Sequence, residues 1–332
     1  MNRRAFIAAF ASAAWSRPGY AQQHREADRI RRIGVLVAPA ENDPETQRRL
    51  TVFVRKLQDL GWAEGRNVQI ERRFAAGDAD RMQQYARELV DLQPDLIVAA
   101  TSRPATLLRQ ETTSLPILFV FVSDPIGSGL VESMARPGGN ITGFTDIEDS
   151  LSGKWLELLK EIAPGVGRIA FLFNPDTMSG AAAYFLRPFE AAAPKLGIAS
   201  LMAAVRTPAE IEVALAGLSR QPGSGLIIAP DVFTRVHREL IITLAAGHSL
   251  PAIYPFRYFV AEGGLISYGI DAIDLCPRAA VYVDRILKGE KPADLPVQAP
   301  TKFELVINLK TAKALGISIP PALLVRAHEL IE

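Results

Sequence analysis

One series of strand-like and helix-like segments occurs twice in the chain, and this doubling constrains the fold more than any other feature. Ile33 to Val37 is an almost unbroken apolar run, as expected of a strand covered on both faces. Leu50, Phe53, Val54, Leu57 and Leu60 then recur at helical spacing, and Gly61 closes the helix. Val68 to Arg72 alternates like a strand, and Met82, Tyr85, Ala86, Leu89 and Val90 form a second helical stripe. Leu96 to Ala100 and Pro116 to Val122 read as buried strands on either side of a helix predicted over Thr101 to Glu111. The order then returns: Arg168–Phe173 corresponds to Arg32–Val37, Lys195–Ile198 to Asp59–Trp62, and Pro208–Leu218 to the helix at Arg81–Leu92. Gly225–Ala229 likewise matches Asp95–Ala99, and Leu250–Tyr254 matches Leu115–Phe119. The offset of about 130–136 residues is far longer than the ~20–50 residues of a solenoid repeat. Repeated β-α units imply parallel, doubly wound sheets, so the chain is predicted to be α/β with two structurally similar lobes. Its 332 residues also exceed the ~250 at which a single core stops growing.

The boundaries follow from turn-forming clusters. Arg136 to Asn140 lies between the halves, and Gly263-Gly264 with Tyr268-Gly269 marks a second crossing. Lobe 1 is placed at 31–143 and lobe 2 at 144–270, with part of 271–332 returning to lobe 1. That tail holds a helix at Leu275–Leu287, a strand at Phe303–Ile307, a helix near Leu309–Leu315 and a terminal helix after Pro320-Pro321. Periodicity does not assign each piece to a lobe.

The start of the chain reads differently. Arg3 and Arg4 precede an apolar run, Ala5 to Trp15, and Gly19-Tyr20-Ala21 is a small-x-small cleavage pattern. This is the layout of a secretory signal peptide over 1–21, followed by a polar leader over 22–30. The paired arginines leave Sec and twin-arginine export both open. The run is about half the ~20 residues needed to cross a bilayer, and no later stretch reaches that length. A soluble, periplasmic mature chain is expected, without a lipid anchor because no cysteine follows the cleavage pattern.

Several function classes are disfavoured. With 37 basic and 36 acidic residues, the chain lacks the basic excess of a general nucleic-acid binder. No helix-turn-helix precedes the first lobe. The single cysteine, Cys276, and four scattered histidines suggest no disulfide and no metal centre. The G-x-S-x-G elbow, the dinucleotide G-x-G-x-x-G and the Walker loop are all absent, so no enzyme activity and no cofactor are expected.

In open parallel sheets, ligands bind beyond the carboxyl ends of the strands. That rule selects Ala40 and Glu41, then Thr101, Ser102 and Arg103, then Ser123 and Asp124 in the first lobe. In the second it selects Asn174, Asp231, and Tyr254 with Arg257 and Tyr258. Each has two readings. Thr101 and Ser102 can cap a helix or hold an anion at its start. Asp231 can meet a ligand ammonium or cap the helix near Thr234. Tyr254 can stack on a ligand or sit in the core. Arg257 can clamp a carboxylate or form an ion pair between the lobes. Ser123-Asp124-Pro125 also reads as a helix-initiating turn.

The block from Asp124 to Val131 (DPIGSGLV), with Ala135 to Gly143 (ARPGGNITG), resembles the signature of ABC-transporter substrate-binding proteins of the tryptophan/tyrosine-binding type. Lys154–Glu161, Gly263–Gly269 and the tail Pro300–Ala312 resemble it too. The likeness implies a type I periplasmic-binding-protein fold, with two Rossmann-like, doubly wound lobes joined by three crossing segments. It implies capture of a small solute, hinge closure, and delivery to a permease with cytoplasmic ATPase subunits. An aromatic amino acid or a related carboxylate is the implied ligand, with Thr101-Ser102 placed for its carboxylate and Asp231 for its ammonium. Arg103 and Arg257 would suit a ligand with an extra acid group. Hinges are expected near Gly143-Phe144, Tyr268-Gly269 and a third crossing. A monomer is the simplest expectation. A sensor that presents its ligand to a membrane receptor, and an exported enzyme, remain as alternatives.

Overall fold

A computed structural model describes residues 29–146, 151–178 and 182–332. The expected signal peptide and most of the polar leader lie outside these residues. In chain order the first part contains β1 (Arg31–Val37), α1 (Pro44–Asp59), β2 (Val68–Phe74), α2 (Ala79–Asp91) and β3 (Leu96–Ala100). It continues with α3 (Ser102–Glu111), β4 (Ile117–Val122) and β5 (Ile141–Thr145). These strands form one parallel sheet in the order β2-β1-β3-β4-β5.

The second part contains α4 (Leu151–Ile162), β6 (Arg168–Phe173), α5 (Ala182–Ala192), β7 (Ala199–Ala204), α6 (Pro208–Ser219) and β8 (Ser224–Ile228). Then come α7 (Val232–Val236), α8 (Arg238–Gly247), β9 (Ala252–Tyr254), α9 (Arg257–Ala261) and β10 (Ile266–Ile270). The tail supplies α10 (Ala272–Leu287), β11 (Phe303–Asn308), α11 (Leu309–Ala314), α12 (Pro321–Arg326) and β12 (Glu329–Ile331). The second sheet runs β12-β11-β10-β9-β8-β6-β7, with only β10 and β11 antiparallel. Its β7-β6-β8-β9-β10 portion repeats the order of the first sheet, which is the doubling seen in the sequence.

The apolar runs account for the cores. β4 is buried at every position, and so are β5 and β8. The second lobe is centred on Trp155, whose ring stacks on Phe185 and whose indole N–H donates to the Tyr268 carbonyl at 2.6 Å. Helix starts are fixed locally. Asp43, Asp78 and Thr207 each accept a backbone N–H three residues on, and Pro44 and Pro208 follow two of these caps.

The tail divides between the lobes. Helix α10 packs on α1 and its apolar residues join the core beneath the first sheet, while β11, β12, α11 and α12 complete the second lobe. Between them, Leu295 to Gln298 runs along β5: Thr142 Oγ1 donates to the Leu295 carbonyl at 2.6 Å, and Thr145 N donates to the Gln298 carbonyl at 2.9 Å. This segment covers the exposed edge of β5. The chain therefore passes between the sheets after Thr145, at Asp271 and between Gln298 and Phe303. The first sheet extends to Thr145, past the expected break at 143. Tyr268-Gly269 lies inside β10, because Ile266–Ile270 is fully paired with β11.

Candidate functional site

A cavity of about 250 Å³ lies between the carboxyl ends of the two sheets and is walled by both. From the first lobe, β3 leads into Thr101, Ser102 and Arg103 at the start of α3, and all three line it. Thr101 has φ of 91° and makes no cap bond with its own side chain; its buried hydroxyl has no partner among the described residues. A β-branched residue in that region is strained, and such strain concentrates at ligand sites. Ser123 also lines the cavity. Asp124 does not; its carboxylate accepts from Gly127 N at 2.7 Å and closes a turn, with no helix following.

Three acidic residues line the cavity; Asp176 is exposed and pairs with Arg206 at 3.3 Å, and the two buried ones are in different states. Asp231 is committed to structure: Oδ1 accepts from Thr234 N at 2.8 Å and Oδ2 from Asn174 N at 3.1 Å. Burial raises its pKa to about 6 in spite of these bonds. The capping reading therefore holds for Asp231, and each oxygen already accepts a backbone N–H. Asp146, at the end of β5, is also buried and raised to about 6 by desolvation, partly offset by the Ser123 hydroxyl and Arg49. Its Oδ1 has no partner among the described residues. It is therefore the better placed acceptor for a ligand donor.

The remaining expected residues fall elsewhere. Asn174 is buried behind the wall, where its Oδ1 accepts from Asp176 N and Thr177 N. Tyr254 is 1% exposed and stacks on Phe259, so its reading as core holds. Arg257 clamps Glu329 with two bonds of 2.6 Å, within the second lobe rather than across the cleft. Ala40 and Glu41 lie beyond the rim; the Ala40 carbonyl accepts from Asp43 N at 3.2 Å, and Glu41 is exposed. Strand ends bring backbone to the cleft, but helix geometry decides which side chains enter it.

Arg49, Phe121, Arg235 and Asp146 escaped the sequence reading. Arg49 projects from α1 into the cavity wall, with its guanidinium 4.6 Å from the Phe121 ring centre and 5.9 Å from that of Phe256. Phe121 itself has φ of 64° at a register break in β4. Tyr258 faces Arg235 and Arg238, each 5.9 Å from its ring centre. Arg235 spans the cleft to pair with Asp43, and also donates to Thr46 Oγ1 at 2.9 Å. Asp146 alone had a usable signal, because it follows a strand end. Arg49 sits beside the apolar stripe of α1, where sequence periodicity reads only the core-facing side.

Comparisons with known proteins agree with this architecture. Residues 32–331 match the model of a family described as ABC transporter substrate binding protein. A tyrosine-binding protein of Clostridioides difficile is 25% identical over 295 residues, covering 89% of this chain and 84% of that protein. An ABC domain from Streptococcus pneumonia, solved with L-Trp, superposes with a TM-score of 0.84 at 28% identity, covering 91% of this chain and 99% of the other. A ligand-free, open substrate-binding protein with adhesive properties from Clostridium difficile gives 0.67 at 26% identity, covering 91% and 99%. The fold is that of type I periplasmic binding proteins. With almost its whole described length matched by that one model, the chain belongs to the family of ABC transporter substrate-binding proteins.

Proposed function

We propose that this protein captures an aromatic amino acid or a related carboxylate between its lobes and hands the closed, loaded form to a membrane permease with cytoplasmic ATPase subunits. The observation that carries the reading is the two-sided cavity, which combines polar atoms on Thr101, Arg49 and Asp146 that have no partner among the described residues with the rings of Phe121, Phe256 and Tyr258. The start of α3 supplies N–H groups and a hydroxyl for a carboxylate. The rings supply a surface for an apolar or aromatic body. Closure by hinge bending at the three crossings is supported by the closer likeness to a ligand-loaded relative than to an open one. The same reading places the mature protein in the periplasm, exported by the segment over 1–21. Among the described residues no helix is long and apolar enough to cross a membrane.

The test is calorimetry and small-angle scattering on the mature protein, with mass spectrometry of any co-purified compound. Saturable binding of an aromatic amino acid or aromatic acid, with a more compact scattering profile on loading, is the expected result. No binding and no compaction across a panel of amino acids and carboxylic acids would overturn it.

A further inference from the structure

The charged groups around the cavity are unequally partnered, and one guanidinium stands out. Arg235 is neutralised by Asp43 across the cleft. Both oxygens of Asp231 are held by backbone N–H groups. This leaves the guanidiniums of Arg49 and Arg103 with no carboxylate partner among the described residues, against one open oxygen on Asp146. Arg49 is the more telling. Its Nε and Nη2 are cut off from solvent and bond to nothing described. Asp146 acts on it electrostatically, but no carboxylate of the described residues forms an ion pair with it. Behind it lies a second, apolar chamber of about 70 Å³, walled by residues such as Val37, Phe53 and Val120. Beside it stands Arg235, whose like charge and the surrounding burial depress the Arg49 pKa. A shielded cation without a partner is costly, and an anion that docks against it removes that cost. The flanking Phe121 and Phe256 rings hold the guanidinium in place without neutralising it.

We infer that the ligand is a carboxylic acid with an aromatic or apolar body, its acid group seated on Arg49 beside Thr101 and Arg103, and that an ammonium group is not required for binding. The inference rests on the proposed role as a solute receptor and narrows its ligand class. Arg49 then determines specificity through a bidentate guanidinium–carboxylate contact. Asp146 accepts a ligand hydroxyl or shares a proton with the bound acid.

Three matched series of probes separate the possibilities by calorimetry: L-phenylalanine, L-tyrosine and L-tryptophan; the corresponding 3-arylpropionates, which lack the ammonium; and the corresponding arylethylamines, which lack the carboxylate. The arylpropionates are expected to bind at least as tightly as the amino acids, and the amines not at all. Arg49→Met should weaken arylpropionate binding by about 30-fold or more, with Arg49→Lys recovering part of the loss. A circular dichroism spectrum and Tm close to those of the parent confirm that each variant is folded. Amino acids binding tenfold or more tighter than arylpropionates, or Arg49→Met leaving arylpropionate affinity within threefold, would overturn the inference while leaving the receptor role intact. Silence from all three series, with no lobe closure, would overturn both.

Discussion

The contact between Asp43 and Arg235 joins the lobes directly, so it should set how readily they close. Asp43 caps α1 in the first lobe, and Arg235 lies in α7 of the second. Their side chains are 11% and 10% exposed, and Arg238 approaches the same carboxylate at 3.5 Å. Burial opposes the Asp43 charge, but Arg235 and the bonds from Thr46 outweigh it, so its pKa lies below the usual value. Asp43→Asn keeps a good cap, since asparagine caps as well as aspartate, and removes only the charge. An exposed ion pair contributes about 0.2–1 kcal/mol, while removing one member of a fully buried pair costs about 3–5 kcal/mol. At one-tenth exposure the expected loss is about 2 kcal/mol, which is about 30-fold in the closing equilibrium. The assay is scattering of the unliganded protein together with ligand affinity at two salt concentrations. The variant should be more open without ligand, bind up to about 30-fold more weakly, and lose part of the parent's salt dependence. A fall in Tm with unchanged affinity and unchanged lobe separation would refute the reasoning, since the pair would then stabilise the fold without biasing closure.

Acid–base behaviour gives a second prediction. The Asp146 and Asp231 pKa values are raised from 3.8 to about 6, so the folded chain binds more protons than the unfolded chain between those values. Their burial penalty is absent below the lower value and complete above the upper, so this contribution makes stability fall as pH rises through the window. Asp146→Asn should flatten that fall and stabilise the protein at pH 7.5 by up to about 3 kcal/mol; an unchanged pH profile of Tm would count against it. Gly269→Ala should abolish soluble folded protein, because a Cβ there would collide with the backbone carbonyl of Pro255. A folded variant with the parent's Tm would show that the β10 backbone yields at this point.

The architecture was legible because strands covered on both faces leave unbroken apolar runs. Ile33–Val37 and Arg168–Phe173 reveal two equivalent first strands with almost no identity between them. The site was legible only at the backbone level. The strand-end rule found Thr101, Ser102, Arg103, Ser123 and Asp231, which do line the cavity. It also selected Ala40, Tyr254 and Arg257, because it does not know where side chains turn. Tyr254 points into the packed layer beneath β9, and Arg257 finds Glu329 on a strand added by the tail. Asp146 was missed because the first sheet was ended two residues early. Arg49 depends on a helix orientation fixed by α10, which arrives more than 200 residues later.

That late arrival bears on how the protein is made. All five strands of the first sheet are present once Thr145 has been synthesised, yet α10 and the segment that covers β5 come only after the whole second sheet has begun. The first lobe thus cannot complete itself while the chain is emerging, since its covering helix and edge strand are among the last residues to appear. Contacts this far apart in sequence slow folding and keep intermediates incomplete. A chain waiting in that state holds a bare α1 face and an open β5 edge. The same interleaving ties both lobes into a single cooperative unit, so neither half should survive as a fragment cut at Ile270.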